Sequence, residues 1–397
     1  MNLEGICSKI SEAGGRVESD EIEFDIISMK DLDWKSQSDK YAEVIKKVLD
    51  MNFDSEMDLY LHQYQALYAL AEGKDVLLQT PCNSGKTRVL LNAPGVAKLG
   101  FELRSSSECH ETPLAIVCCP LTSIIEDKLK DQPKAGMLSM SGSCRTGFCE
   151  QNKVSLSKSE EEFLSDSLSH IYGHPESFAT DLGKRILETQ EKRIFVFICD
   201  EIGINIWGDS FRPLMSTVPG AIRVFSESNA PMLCMSATIG KSDQQKILMD
   251  LGMMNRSVEI IEQNPVMPSL FLSKLRRPSN QKGFYEAEGL KDILSEIFLD
   301  EFIANPENSR KAIIFCKNEE DLIKVYEYLD LEIGNHYLNM KSRPWVQYHA
   351  STGEKTLKWI HQRLKGTAGS EIKLLISTYK LVMGVDLKNF DLVVFLR

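Results

Sequence analysis

The sequence predicts an α/β protein made of two tandem parallel-sheet domains, and three observations lead there. Apolar runs of strand length alternate with segments of helical apolar spacing along most of the chain, as in βαβ units. The run inside EKRIFVFICDEIG, residues 191–203, is apolar and β-branched, the composition of a parallel strand buried on both faces. A chain of 397 residues with 43% hydrophobic content is too long for one core and suits two domains of ordinary size.

In chain order, the first 35 residues are acidic and lack a long apolar pattern. Tyr41, Val44, Ile45, Val48 and Leu49 then recur at helical spacing, with Ser36 and Ser38 as N-cap candidates. A second helix is expected near 62–72 and a strand at 75–79, followed by a strand in LAIVCCP, 114–120. The stretch 131–165 is polar and rich in Ser, Gly and Glu, so it reads as loop or variable insertion. Strands at 193–200 and 231–236 complete the first α/β set, and 262–283 reads as the connection. The second set follows in KAIIFCKN (311–318), VQYHAS (346–351), KLLIST (373–378) and DLVVFLR (391–397). The expected organisation is an acidic extension with a helix over 1–52, a first domain over 53–262, a linker over 263–283 and a second domain over 284–397. Two such units, with a phosphate loop only in the first, suggest a cleft between two lobes.

That loop is LLQTPCNSGKTRV, 77–89, where an apolar strand runs into Ser84-Gly85-Lys86-Thr87. In such a loop backbone N–H groups face phosphate oxyanions and the next helix adds its positive end. Lys86 then reaches the β/γ-phosphates and Thr87 offers a hydroxyl to Mg²⁺. Asp200-Glu201 ends the apolar run of 191–203. A carboxylate at the carboxyl end of the strand neighbouring a phosphate loop can hold the Mg²⁺ shell, and an adjacent one can polarise the attacking water. Taken alone, the pair could equally cap a strand end.

Composition narrows the class. Cys118, Cys119, Cys199, Cys234 and Cys316 lie in apolar runs, as reduced core cysteines do. No apolar run approaches a membrane span and MNLEGICSKI lacks the features of a signal peptide, so an intracellular protein with no membrane partner is expected. The spacing of Cys109-His110 and of Cys144 and Cys149 is too loose to read as a zinc site. The first 60 residues, with 15 acidic against 7 basic side chains, carry −8 of the net −11. The rest is nearly neutral and leaves room for a local basic groove. SKLRRPSNQKG, 273–283, with Lys274, Arg276, Arg277 and Lys282, reads as either such a groove or a solvated linker.

The motifs, in this order, resemble a superfamily 2 helicase, most closely the RecQ family of DNA helicases. Gln63 matches the glutamine that in these enzymes reads the adenine edge, and TPCNSGKT at 80–87 matches the first motif. CPLTSIIEDKL (119–129), YGHPESF (172–178), CDEIG (199–203) and MSATI (235–239) match the motifs that follow, and YHAS (348–351) and LLISTYKLVMGVD (374–386) those of the second lobe. WGDSFRP, 207–213, resembles the aromatic loop that couples single-stranded DNA to hydrolysis; Trp207 and Phe211 offer faces for base stacking and Arg212 a phosphate or cation–π contact. By composition alone the two aromatics could instead pack under the sheet.

The resemblance implies two RecA-like domains, ATP and Mg²⁺ as cofactors, single-stranded or partly duplex DNA as partner, 3′-to-5′ polarity and a nuclear location. It implies nucleotide contacts from Gln63, Cys82, Asn83, Ser84, Gly85, Lys86 and Thr87, with Thr87 and Asp200 on the metal and Lys86, Asp200 and Glu201 catalytic. Ser236, Ala237, Thr238, Gly384 and Asp386 would couple hydrolysis to strand movement, and Thr378 would face nucleic acid with the aromatic loop. Departures from the pattern are Cys82 for threonine, Asn83 for glycine and Gly203 for histidine, with one residue fewer before Trp207. The arginine-bearing motif that follows DLVVFLR in the family is not reached. The second domain is therefore expected to be incomplete at its C-terminus and these 397 residues to have low activity alone. A DEAD-box-like RNA helicase and a catalytically impaired nucleotide- or nucleic-acid-binding module are the alternatives.

Overall fold

The computed structural model of the chain describes residues 26–27, 40–52, 58–120, 122–130, 132, 134–139, 144–146, 149–150, 153–154, 163–203, 218–225, 229–237, 239–263, 294–337, 339, 342–349, 351–364, 372–378 and 390–396. It divides into two compact units, one of Ser19–Leu270 and one that takes in Phe271 onward.

The first unit opens with α1 (Lys40–Asn52). Its apolar stripe of Val44, Ile45, Val48 and Leu49 is buried while Glu43, Lys46, Lys47 and Asp50 face solvent. α1 packs on α2 (Leu61–Ala71) and on α3 (Lys86–Ser105), which flank β1 (Asp75–Gln79). α2 and α3 lie close because Gly100 has no side chain: a Cβ there would fall 2.1 Å from the Ala71 carbonyl oxygen.

Beyond α3 come β2 (Leu114–Cys118), α4 (Thr122–Lys130), β3 (Ala135–Leu138), β4 (Cys144–Thr146), β5 (His170–Gly173), α5 (Asp181–Thr189) and β6 (Ile194–Cys199). They are followed by α6 (Val218–Phe225), β7 (Met232–Ser236), α7 (Lys241–Asp250) and β8 (Val258–Glu262). The strands form one sheet in the order β8-β1-β7-β6-β2-β5-β3-β4, parallel except for the antiparallel last pair. Apolar layers cover its two faces.

Two expectations are corrected here. The stretch 131–165 holds more than loop: Ala135–Leu138 is a fully buried parallel strand, too short to stand out between polar flanks. Asp200 follows a strand that does not neighbour the phosphate-loop strand, because β7 lies between β1 and β6. The lateral order is held at the other end of the sheet by Asp75. Its buried carboxylate accepts from Arg223 at 2.7 Å, Arg256 at 3.3 Å and the Met232 N–H at 2.9 Å, tying the starts of β1 and β7 to α6.

In the second unit α8 (Asp300–Ala304) precedes β9 (Ala312–Cys316), α9 (Glu319–Ile333), β10 (Trp345–Tyr348), α10 (Glu354–Leu364), β11 (Leu374–Thr378) and β12 (Leu392–Phe395). Its sheet is wholly parallel, ordered β10-β11-β9-β12. α9 begins where the Asn318 side chain accepts from the Asp321 N–H at 2.8 Å, and Glu319, Glu320 and Asp321 complement the helix dipole. Trp345 is buried edge-on to Phe302 and Tyr337 in the core of this unit. Among the described residues no helix is long and apolar enough to cross a membrane.

Candidate active site

In the first unit β1, β7, β6, β2 and β5 end at one edge. Ser236 is in register with Gln79, Cys199 with both Cys234 and Cys118, and Cys118 with Gly173. The segments that leave those strands, 80–87, 237, 200–201, 119 and 174, therefore emerge together. Parallel pairing is what gathers residues far apart in the chain at the carboxyl end of a sheet.

The loop after β1 folds over its own lysine. Lys86 Nζ donates to the carbonyls of Thr80 at 2.9 Å and Pro81 at 2.8 Å. Gly85, at φ +80°, starts α3, and Asn83, at φ +62°, takes the left-handed conformation that asparagine tolerates better than most residues. Ser84 is buried, its hydroxyl 2.7 Å from that of Thr80. Cys82, Asn83 and Thr87 are exposed.

Two neighbours on α2 hold the loop from behind. His62 Nε2 donates to the Ser84 carbonyl at 2.9 Å. The Gln63 amide nitrogen donates to Ser84 at 3.3 Å and Gly85 at 3.1 Å, while its oxygen accepts from the Tyr60 N–H at 3.0 Å. Both ends of the Gln63 amide are thus committed to the chain, and the side chain is buried. Burial holds the His62 imidazole below its ordinary pKa and so favours the neutral ring.

Asp200 and Glu201 stand one strand further along. The Asp200 N–H donates to the Cys118 carbonyl at 3.0 Å, which continues the β6–β2 ladder. Its Oδ1 accepts from the Glu201 N–H at 3.2 Å and its Oδ2 lies 3.1 Å from Lys128 Nζ of α4. Glu201 adopts φ +52°, strained for a residue with a side chain. Burial, then the adjacent Asp200 charge, raise the Glu201 pKa, and Lys86 and Lys128 pull it back down. Burial pushes the neighbouring Cys119 thiol well up, so it is a neutral neighbour.

Ser236, at the end of β7, bridges the two halves: its carbonyl accepts from the Thr80 N–H at 3.1 Å. Ser236 and Ala237 are buried. Gln79 donates from its amide to the Ile239 carbonyl and accepts from Gln244 at 3.0 Å, stitching the phosphate-loop strand to the segment after β7. His62, Gln79 and Lys128 were not singled out from the sequence. His62 has the one available signal, adjacency to Gln63.

Several expected site residues lie outside the described residues: Trp207, Phe211, Arg212, Thr238, Gly384, Asp386 and the basic segment 273–283. Thr378 ends β11 in the second unit. Cys118, Cys119, Cys199, Cys234 and Cys316 are buried free thiols. Among the described residues no three His, Cys, Asp or Glu side chains are placed to hold a metal ion.

Residues 60–247 match the DEAD/DEAH box helicase model and residues 291–397 the helicase conserved C-terminal domain. ATP-dependent DNA helicase Q-like 4B of Arabidopsis thaliana is 24% identical over 369 residues, 91% of this chain and 28% of that protein. The DUF1998 helicase MrfA bound to DNA is similar in structure, with TM-score 0.59 and 14% identity over 100% of this chain and 52% of that one. Mycobacterium smegmatis helicase Lhr bound to ssDNA and AMP-PNP gives TM-score 0.56 and 13% identity over 90% of this chain and 44% of that one. A DEAD-box helicase bound to ssRNA gives 0.51 and 16% over 94% and 70%. The chain thus spans about a quarter of the curated relative and about half of the first two solved ones.

Proposed function

The chain carries the two domains of a superfamily 2 helicase, folded as tandem RecA-like units, and from that premise we propose that it is the motor of an ATP-dependent DNA helicase or translocase of RecQ-like type. One observation carries the reading: the phosphate loop, Ser236 and the Asp200-Glu201 pair leave three adjacent parallel strands at the same edge. Turnover of a nucleoside triphosphate needs those parts together.

In this reading the 82–87 loop and Lys86 hold the β/γ-phosphates, Lys86 exchanging the Thr80 and Pro81 carbonyls for phosphate oxygens. The Thr87 hydroxyl and the Asp200 carboxylate are hard oxygen donors that fit Mg²⁺. Bound there, the ion neutralises charge on the phosphates. Glu201, its pKa raised by burial, orients and deprotonates water. Gln63 holds the loop through both ends of its amide and, by exchanging those bonds as Lys86 does, would read an adenine edge. Ser236 and Ala237, with Thr238, Gly384 and Asp386, relay the nucleotide state, and Ser236 does so through its bond to Thr80.

DNA is favoured over RNA by the WGDSFRP segment, by the name of the Arabidopsis relative and by the DNA-bound MrfA and Lhr structures. A 3′-to-5′ direction and a nuclear location belong to the same proposal. RNA is the second reading, favoured by the DEAD/DEAH box match and the ssRNA-bound neighbour. ATP hydrolysis measured with single-stranded DNA and RNA of matched length separates them. Stimulation by DNA above RNA, abolished in Lys86→Ala, supports the proposal; stimulation by RNA alone, or turnover that survives Lys86→Ala, overturns it.

A further inference from the structure

Lys128 is a side chain of the site whose presence neither nucleotide binding nor hydrolysis explains. It projects from α4, whose Ile125 and Leu129 are buried in the core and anchor the helix. Its ammonium lies 3.1 Å from Asp200 Oδ2, with the two side chains 13% and 7% exposed. The other carboxylate oxygen, Oδ1, accepts from the Glu201 N–H. Each oxygen of the expected metal ligand thus already has one partner in the protein.

We propose that Lys128 is a built-in counter-cation of Asp200 that excludes divalent metal from the nucleotide-free site, making metal capture conditional on arriving phosphates. The proposal rests on the ATPase reading above. A divalent ion at Asp200 Oδ2 would face an ammonium within a few ångströms in a poorly solvated setting, where like charges repel strongly. The negative charge of a triphosphate offsets that repulsion and gives the displaced ammonium a new partner. The same ammonium offsets the charge of the buried Asp200 beside Glu201.

The probe is Mn²⁺, read by electron paramagnetic resonance of the free ion, on the full 397-residue chain without nucleotide. Lys128→Gln should raise Mn²⁺ affinity about tenfold or more over wild type. Lys128→Arg should match wild type, and the Lys128→Gln/Asp200→Asn double variant should lose the gain. Lys128→Met, which keeps the buried stem, should behave as Lys128→Gln, and circular dichroism melts establish that each variant is folded. A measurement independent of position 128 compares wild type with Asp200→Asn: without nucleotide both should bind Mn²⁺ equally weakly. Equal affinity in wild type and Lys128→Gln, or a Mn²⁺ site present in wild type and lost in Asp200→Asn, overturns the proposal. Binding of a fluorescent ATP analogue with Mg²⁺ tells the two readings apart. If wild type binds it but the Mn²⁺ pattern fails, only the role of Lys128 falls. If wild type does not bind it, the ATPase reading and this inference fall together.

Discussion

The His170 imidazole donates from Nε2 to the Leu90 carbonyl at 3.3 Å. Leu90 lies in α3, four residues before Pro94, which has no N–H to give it. A buried ring on β5 thus supplies the donor that proline withholds from the helix beginning at the phosphate loop.

Burial holds the His170 pKa down at about 4, against an ordinary value of 6.5, so the native ring is neutral. As pH falls below 6.5 the unfolded chain takes up a proton that the native state refuses. Stability therefore drops between pH 6.5 and about 4, and the contribution of this group is constant outside that window. Urea unfolding of His170→Gln across this range should show a pH slope reduced by about one proton. An unchanged slope would mean that His170 charges in the native state. At pH 7 the variant should lose about 1 kcal/mol or less if the glutamine amide reaches Leu90.

Gly85 and Gln63 are coupled by space. A Cβ at Gly85 would sit 2.3 Å from Gln63 Nε2, on a backbone at φ +80°. Gly85→Ala therefore incurs two costs, the left-handed backbone at about 1 to 2 kcal/mol and the collision. Adding Gln63→Ala removes only the second. A double-mutant cycle on binding of an ATP analogue should show Gln63→Ala partly rescuing Gly85→Ala, with about 1 kcal/mol of coupling. Strict additivity would show that the amide moves aside freely and does not hold the loop.

The strands and loops of the candidate site were legible because their signals are local. An apolar run ending in Asp200-Glu201 or leading into Ser84-Gly85-Lys86-Thr87 declares itself within a dozen residues. Lateral order is not local: Asp75 at the start of β1 meets Arg223, 148 residues away, and the Met232 N–H that begins β7. The same holds for Lys128, one of two basic residues in the last turn of an unremarkable helix, which only the fold brings to Asp200. The buried content of 131–170 was hidden for a third reason. Arg193 donates to the carbonyls of Ser165 at 2.8 Å and Leu168 at 2.7 Å, so a polar stretch is held down by a guanidinium rather than by apolar periodicity.

Trp207 and Phe211, outside the described residues, are tested by function. Their double replacement by alanine should remove about 1 to 3 kcal/mol of single-strand affinity per stacked base, and DNA stimulation of hydrolysis with it, sparing nucleotide binding. A variant that unfolds with no separable binding defect would return both rings to the core.

Glu201 offers the sharpest separation of chemistry from stability. Its carboxyl pKa is raised by burial and by Asp200, so between the ordinary value of 4.5 and the raised one the native state holds a proton that the unfolded chain releases. The stability linked to that proton is present below 4.5 and is lost as pH rises through the raised pKa, so above that range the ionised group is a net cost. Glu201→Gln keeps the shape and removes the charge. It should melt no lower than wild type at pH 7, lose this part of the pH slope, and still bind an ATP analogue. If Glu201 takes the proton from the attacking water, turnover should nevertheless fall by about 10² to 10⁴. A pair that only capped a strand end would leave turnover intact. Retained turnover, or a melt lowered together with nucleotide binding, would therefore assign Asp200-Glu201 to the architecture of β6 and remove Glu201 from the reaction.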